Sequence, residues 1–137
     1  MDNIVLDTNC LLMSVSSKSI YNKVWLSFLS GDYYLCISNE ILEEYYEVIA
    51  RNLNQRLADA VVYTILTRKN IRKIDPRYHF NLITVDEDDN KFVDCAIAAS
   101  AEYIVTEDNH FNRLKSLPYP KLKIMTLDEF NAVEREF

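Results

Sequence analysis

The sequence predicts a three-layer α/β domain around a parallel sheet of four or five strands, with residues 1–137 forming one unit. Three observations lead there. Short apolar runs recur that are too brief for helices and do not alternate with polar residues, the pattern of strands buried on both faces. Segments of ten or more residues with helical periodicity separate them, and this alternation joins parallel strands by crossovers. No repeat, low-complexity stretch or Pro, Gly or Ser linker interrupts the 137 residues, a length that fills one domain and buries a real core.

The first strand is Ile4-Val5-Leu6, with Asp7 at its end and Thr8 and Asn9 opening the next turn. A helical pattern at about Ile20 to Leu29 leads to a second strand, Tyr33 to Ile37. Ser38 is placed to cap the helix Glu40 to Arg51, which Gln55 to Lys69 follows. Asp89 is placed to cap Lys91 to Glu102, and Tyr103-Ile104-Val105 is the third strand. After a turn at Pro118 and Pro120, Leu122 to Met125 makes the fourth, and a last helix runs from Leu127 to about Arg135. Such sheets bind ligands at the carboxyl ends of their strands, so functional residues are expected there.

Composition narrows the function. Apolar residues at 49% and aromatics at 12% exclude a disordered chain. The single glycine, Gly31, excludes phosphate cradles that need several glycines, so any phosphate chemistry must use carboxylates and a metal. Fifteen Lys and Arg against twenty-one Asp and Glu give a net charge of −6, which excludes holding nucleic acid by bulk charge alone. Cys10, Cys36 and Cys95 form no CxxC pair, which disfavours zinc and suits a reducing cytosol. The opening residues MDNIVLDTN resemble no leader, and no run approaches the roughly 20 apolar residues of a membrane span. The expected location is cytoplasmic.

Asp7 and Asp108 stand in the same relation to two strands, immediately or soon after their last apolar residue. Either alone can be a helix cap, but two acids at equivalent edges of a parallel sheet repel unless a cation or proton lies between them. Asp94 is the one charge in Phe92 to Ala101, a small and apolar helix. At 100° per residue it falls away from the Phe92, Ala96 and Ala99 face, beside Asn90 and Ala101, and looks into a gap left by small neighbours. The bland alternative pairs it with Lys91 on an exposed strip. In the helix from Glu40, Glu43 and Glu44 lie on opposite flanks of the apolar stripe, and periodicity leaves either able to reach a site. The run Asp86-Glu87-Asp88-Asp89 reads as a solvated loop ending in a cap, from which Asp89 can add a ligand or a supporting group. Clustered hard oxygens without neighbouring Cys or His suit Mg²⁺ or Mn²⁺. Such an ion orients phosphate oxygens and acidifies a water, which is phosphodiester hydrolysis.

Four stretches in this order resemble the PIN domain, and most closely the PIN-domain toxins of toxin-antitoxin modules: residues 4–9, Ile37 to Tyr45, Asp86 to Ala96 and Tyr103 to Asp108. The resemblance covers nearly the whole chain. It implies Asp7, Glu44, Asp94 and Asp108 as the metal-binding, catalytic acids, choosing Glu44 over Glu43, with Thr106 at a polar position close to the site and Asn9 and Asp89 as further candidates. It also implies a single-strand RNA endonuclease, a cognate antitoxin protein and a homodimer. Two residues depart from the pattern: Glu107 stands where Gly commonly precedes the last acid, which adds negative charge there, and Ser100 replaces a Gly common in the preceding helix.

Charge patterning is compatible with RNA. Setting aside the four implied acids leaves seventeen acids against fifteen bases. Arg51, Arg56, Arg68, Lys69, Arg72, Lys73 and Arg77 form one basic segment, and Arg113, Lys115, Lys121 and Lys123 another, which either hold an RNA backbone or form solvated faces. Tyr78 and Phe80, beside Arg77, either stack on bases or join the core. His79 and His110 show no partner in the sequence and read as incidental. Two other classes compete. One is a receiver-like or phosphatase-like domain whose strand-end Asp accepts a phosphoryl group, although the chain lacks a second Asp two residues after Asp7. The other is a catalytically silent PIN-like module that keeps the fold for protein contact, which metal binding without cleavage would favour.

Overall fold

A computed structural model describes residues 1–83, 86–116 and 122–134. The expected turn at Pro118 and Pro120, Lys121, and the end of the last helix at Arg135 lie outside the described residues. Five strands form one all-parallel sheet in the order β3-β2-β1-β4-β5: β1 Asn3–Leu6, β2 Tyr34–Ile37, β3 Ile71–Lys73, β4 Tyr103–Val105 and β5 Ile124–Met125. Ile4, Val5, Leu6, Leu35, Cys36, Ile37, Ile104 and Val105 are all buried, as expected of central strands covered on both faces by flanking helices. The helices are α1 Thr8–Val15, α2 Asn22–Leu29, α3 Asn39–Asn52, α4 Gln55–Thr67, α5 Asn90–Ala99 and α6 Leu127–Glu134.

Two elements lie beyond what the pattern predicts. The helix α1 opens directly after Asp7, where only a turn is expected; it is eight residues long, and no side chain caps it. The edge strand β3 has no apolar run to announce it, because only Ile71 is partly buried and Arg72 and Lys73 are exposed. Arg72 instead lays its guanidinium 4.0 Å from the centre of the Tyr34 ring on β2.

Capping explains where the helices start and stop. Ser38 accepts from the Ile41 N–H and so starts α3, and Asn54 does the same for α4 through the Leu57 N–H. The one glycine, Gly31, has φ of 81° and closes α2, with Asp32 N–H bonded to Ser27 O across it. Ser100 holds the corresponding place after α5, at φ 52° and ψ 47°, and Ala101 N–H bonds Ala96 O at 2.9 Å. This left-handed turn ends α5 at Ala99, three residues before the expected Glu102.

A side chain in that conformation costs roughly 1 kcal/mol that glycine does not. Ser100→Gly is therefore expected to raise stability by about 0.5–1 kcal/mol, read as a higher urea midpoint at unchanged slope. A lower midpoint would show that the serine makes a compensating contact.

Candidate metal site at the sheet switch point

From β1 the chain steps outward to β2 and β3, then returns to place β4 on the other side of β1. The reversal between β1 and β4 opens a crevice at their carboxyl ends. Leu6 pairs with Val105 in register, and Asp7 N–H continues the ladder to Val105 O at 2.9 Å. Asp7 therefore lies beside Thr106, whose hydroxyl donates to Asp7 Oδ2 at 2.7 Å. The Thr106 hydroxyl oxygen itself accepts from the Asp108 N–H at 3.0 Å, so Thr106 ties the two strand-end acids together. Asp7 makes no side-chain cap to α1, whereas Asp108 does accept the His110 N–H at 2.8 Å at the start of the 3-10 helix Asn109–Ser116. Behind them the fully buried Tyr45 donates its hydroxyl to Leu6 O at 2.6 Å, fixing the last residue of β1 against α3.

One residue before Tyr45 on α3, Glu44 meets the same crevice. Its Oε2 accepts from the Thr8 hydroxyl, and its Oε1 pairs with Lys91 Nζ at 2.7 Å. Glu43, on the other flank, is exposed and lines a groove with Leu42, Tyr46 and Val62. Asn9, in the first turn of α1, is exposed.

The acidic run divides its work. Asp86 accepts the Asp88 N–H and starts a 3-10 turn, Glu87–Asp89. Asp89, only 9% exposed, stands at the cap position of α5 but makes no capping bond. Its Oδ2 lies 3.2 Å from His110 Nδ1, which is also 3.2 Å from Asp108 Oδ1. Asp86, Asp89 and His110 each bring a ligand atom within 4.8 Å of the others. His110 is thus no incidental side chain. Its only signal in the sequence is its place two residues after Asp108.

Asp94 is buried at 4% exposure and meets the loop at His79 and Phe80. Its Oδ1 accepts from the Phe80 N–H at 3.1 Å, and its Oδ2 lies 3.3 Å from His79 Nδ1. The alternative pairing with Lys91 is not the one found, because Lys91 turns to Glu44 and to Asp88 O. Asp94 and His79 line a cleft of about 500 Å³ with Ser38, Ile74, Pro76 and Lys91. Tyr78 and Phe80 lie outside the core, 77% and 40% exposed. Glu107 does not enter the crevice: its Oε1 accepts the Leu127 N–H at 2.9 Å and caps α6.

Electrostatics mark the crevice as short of positive charge. Burial pushes the Asp7 carboxyl above its ordinary 3.8; the Thr106 hydroxyl and the Thr8 N–H oppose this, and the charges of Glu44 and Asp108 reinforce it. Burial likewise pushes Asp89 up to about 6 against the His110 hydrogen bond, with Asp108, Asp86 and Asp7 adding to the rise. The bond to Asp89 in turn raises the His110 imidazole. Asp7 thus feels the charges of Glu44 and Asp108, and Asp89 those of Asp108, Asp86 and Asp7. Hard oxygens gathered around a buried acid suit a divalent cation.

The sign of the Asp7 shift gives a stability test. As pH rises from 3.8 through the higher folded-state value, the unfolded chain releases its proton first, so folding is weakened and stays weakened at neutral pH. In EDTA, Asp7→Asn is expected to melt above the parent at pH 7, with the gap closing as pH falls toward 4. A variant that melts lower at pH 7 would show that the ionised carboxylate is well compensated.

Comparison with known proteins agrees with this architecture. The chain matches the PIN domain family model over residues 3–110. It superposes on a chain of the DNA-bound VapBC of Salmonella typhimurium with a TM-score of 0.65 at 20% identity, covering 93% of this chain and 99% of that one. On VapBC2 of Rickettsia felis, bound to a promoter DNA fragment, the TM-score is 0.63 at 17% identity, covering 90% and 98%. On VapC20 of Mycobacterium tuberculosis, a sarcin-ricin loop cleaving toxin, it is 0.60 at 13% identity, covering 80% and 93%. No curated protein sequence matches. With the family model spanning most of its length, the chain belongs to the PIN domain family.

Proposed function

We propose that this protein is a metal-dependent endoribonuclease that hydrolyses phosphodiester bonds of single-stranded RNA, and that it is the toxin of a toxin-antitoxin pair. The observation that carries the chemistry is the convergence of Asp7, Glu44, Asp89 and Asp108 on the β1–β4 crevice, around a carboxylate whose ionised form is disfavoured without a cation. The donor set is hard oxygen, which fits Mg²⁺ or Mn²⁺. Bound there, such an ion would neutralise a phosphate oxygen and acidify the attacking water.

The chain's own residues do the rest. The Thr106 hydroxyl donates to the Asp7 carboxylate and accepts from the Asp108 N–H, which fixes both strand ends. Thr8 orients Glu44, and Lys91 balances it. Asp94 holds the 79–80 loop. We assign the metal contact on the α5 side to Asp89 and the loop contact to Asp94, where the resemblance gives Asp94 the metal. Arg68, Lys69, Lys73 and Arg77 are exposed along β3 and its flanks, and Tyr78 and Phe80 stand exposed beside them; these suit a single strand's phosphates and bases. An antitoxin partner is supported by the similar chains having been crystallised as VapBC complexes. A homodimer is supported by the resemblance alone. Among the described residues no helix is long and apolar enough to cross a membrane.

The test is cleavage of an end-labelled, unstructured RNA with Mg²⁺ or Mn²⁺. EDTA, Asp7→Asn and Asp89→Asn are each expected to lower the rate by roughly 100-fold or more. Asp94→Asn keeps an oxygen for the Phe80 N–H, so its Mn²⁺ affinity, measured by calorimetry, is expected to stay within about threefold of the parent. A tenfold loss would return Asp94 to the metal. Metal binding without cleavage of any RNA would instead leave a silent PIN-like module.

A further inference from the structure

We propose that His110 is itself a ligand of the divalent cation, through Nδ1, and makes the site a mixed oxygen and nitrogen site that prefers Mn²⁺ to Mg²⁺. This rests on the metal-site reading above and adds to it a donor that the sequence motifs do not contain. His110 Nδ1 is 3.2 Å from Asp89 Oδ2 and 3.2 Å from Asp108 Oδ1. A single ring nitrogen has at most one N–H, so it cannot serve both carboxylates well as a hydrogen-bond donor. A cation serves all three. Two ligands at right angles on an ion with bonds of about 2.1 Å lie about 3 Å apart, close to the spacing found here.

The placement is built into the backbone. The His110 N–H bonds Asp108 Oδ1 at 2.8 Å, a tight turn that folds the imidazole back over the carboxylate two residues earlier. On the opposite side, Asp89 leaves the α5 N–H groups uncapped and turns its carboxylate to the imidazole instead. Asp86 completes a set of three ligand atoms within 4.8 Å of one another. The His110 side chain is 36% exposed, so an ion can reach Nδ1 without unfolding the site. Carboxylates alone suit Mg²⁺, whereas an imidazole nitrogen adds affinity for Mn²⁺ and later transition metals.

The experiment is pulsed electron paramagnetic resonance of Mn²⁺ bound to the full chain, which reads nitrogen ligation independently of cleavage. The expected result is a ¹⁴N modulation that persists in His79→Ala and disappears in His110→Asn, with Mn²⁺ affinity falling about 10- to 100-fold in His110→Asn and Mg²⁺ affinity changing less than threefold. Mn²⁺ that binds with no nitrogen modulation would overturn the ligand role of His110 and leave the carboxylate site standing. Modulation that survives His110→Asn would assign the nitrogen elsewhere. No bound Mn²⁺ at all would overturn both readings together.

Discussion

The pairing of β1 with β4 is the constraint on which the rest of the site depends. Because the two strands run parallel with Leu6 opposite Val105, their ends arrive at one height, and Asp7 and Thr106 become neighbours although 99 residues separate them. The register itself is set by burial. Ile4, Val5, Leu6, Ile104 and Val105 are each no more than 1% exposed, so a slip of one residue would drive Asp7 into the core and expose an aliphatic side chain. Tyr45 adds a polar lock by carrying a hydroxyl through the core to the Leu6 carbonyl, at the last position before the acids begin. The same hydrophobic forces that close the sheet thus deliver the carboxylates to its edge.

What they deliver is electrostatically unfavourable as it stands. Asp7 is 8% exposed and lies among other acids, and the hydroxyl of Thr106 supplies only part of the stabilisation that water would give. Two positive or protonatable side chains stand at the rim: Lys91 against Glu44, and His110 between Asp89 and Asp108. Neither reaches Asp7 itself. The innermost carboxylate therefore remains the one whose charge calls for an ion, while the outer ones already have partners that an ion must displace or share. The Glu107 departure leaves this balance largely untouched, because that carboxylate is committed to the Leu127 N–H of α6.

Much of this was legible in the residues. Unbroken apolar runs announced β1, β2 and β4 because central parallel strands are buried on both faces, and the strand-end positions of Asp7 and Asp108 followed from them. The strand β3 was not legible, since an edge strand with one half-buried Ile71 has no face that must be apolar. Nor was α1, whose eight residues carry neither an acidic first turn nor a side-chain cap. Ser100 was readable as a departure but not as a conformation, because its left-handed turn is imposed by the tight return from α5 into β4. His110 was hard to see for a simpler reason: beside its near neighbour Asp108, its other partner is Asp89, 21 residues away in the sequence.

Asp89 and Asp94 show how far a local pattern can go. They lie five residues apart, Asp89 closing a 3-10 turn at the cap position of α5 and Asp94 inside that helix. Periodicity marked Asp94 correctly as a lone acid with room beside it, and a lone acid in an apolar helix must find polar partners. It does not say which partners. The Phe80 N–H and the His79 ring meet that need from a loop that carries no helical or strand pattern of its own, so nothing in the sequence announces the contact. Asp89, in a run that looked like solvated loop, stands instead at the start of α5, buried beside His110.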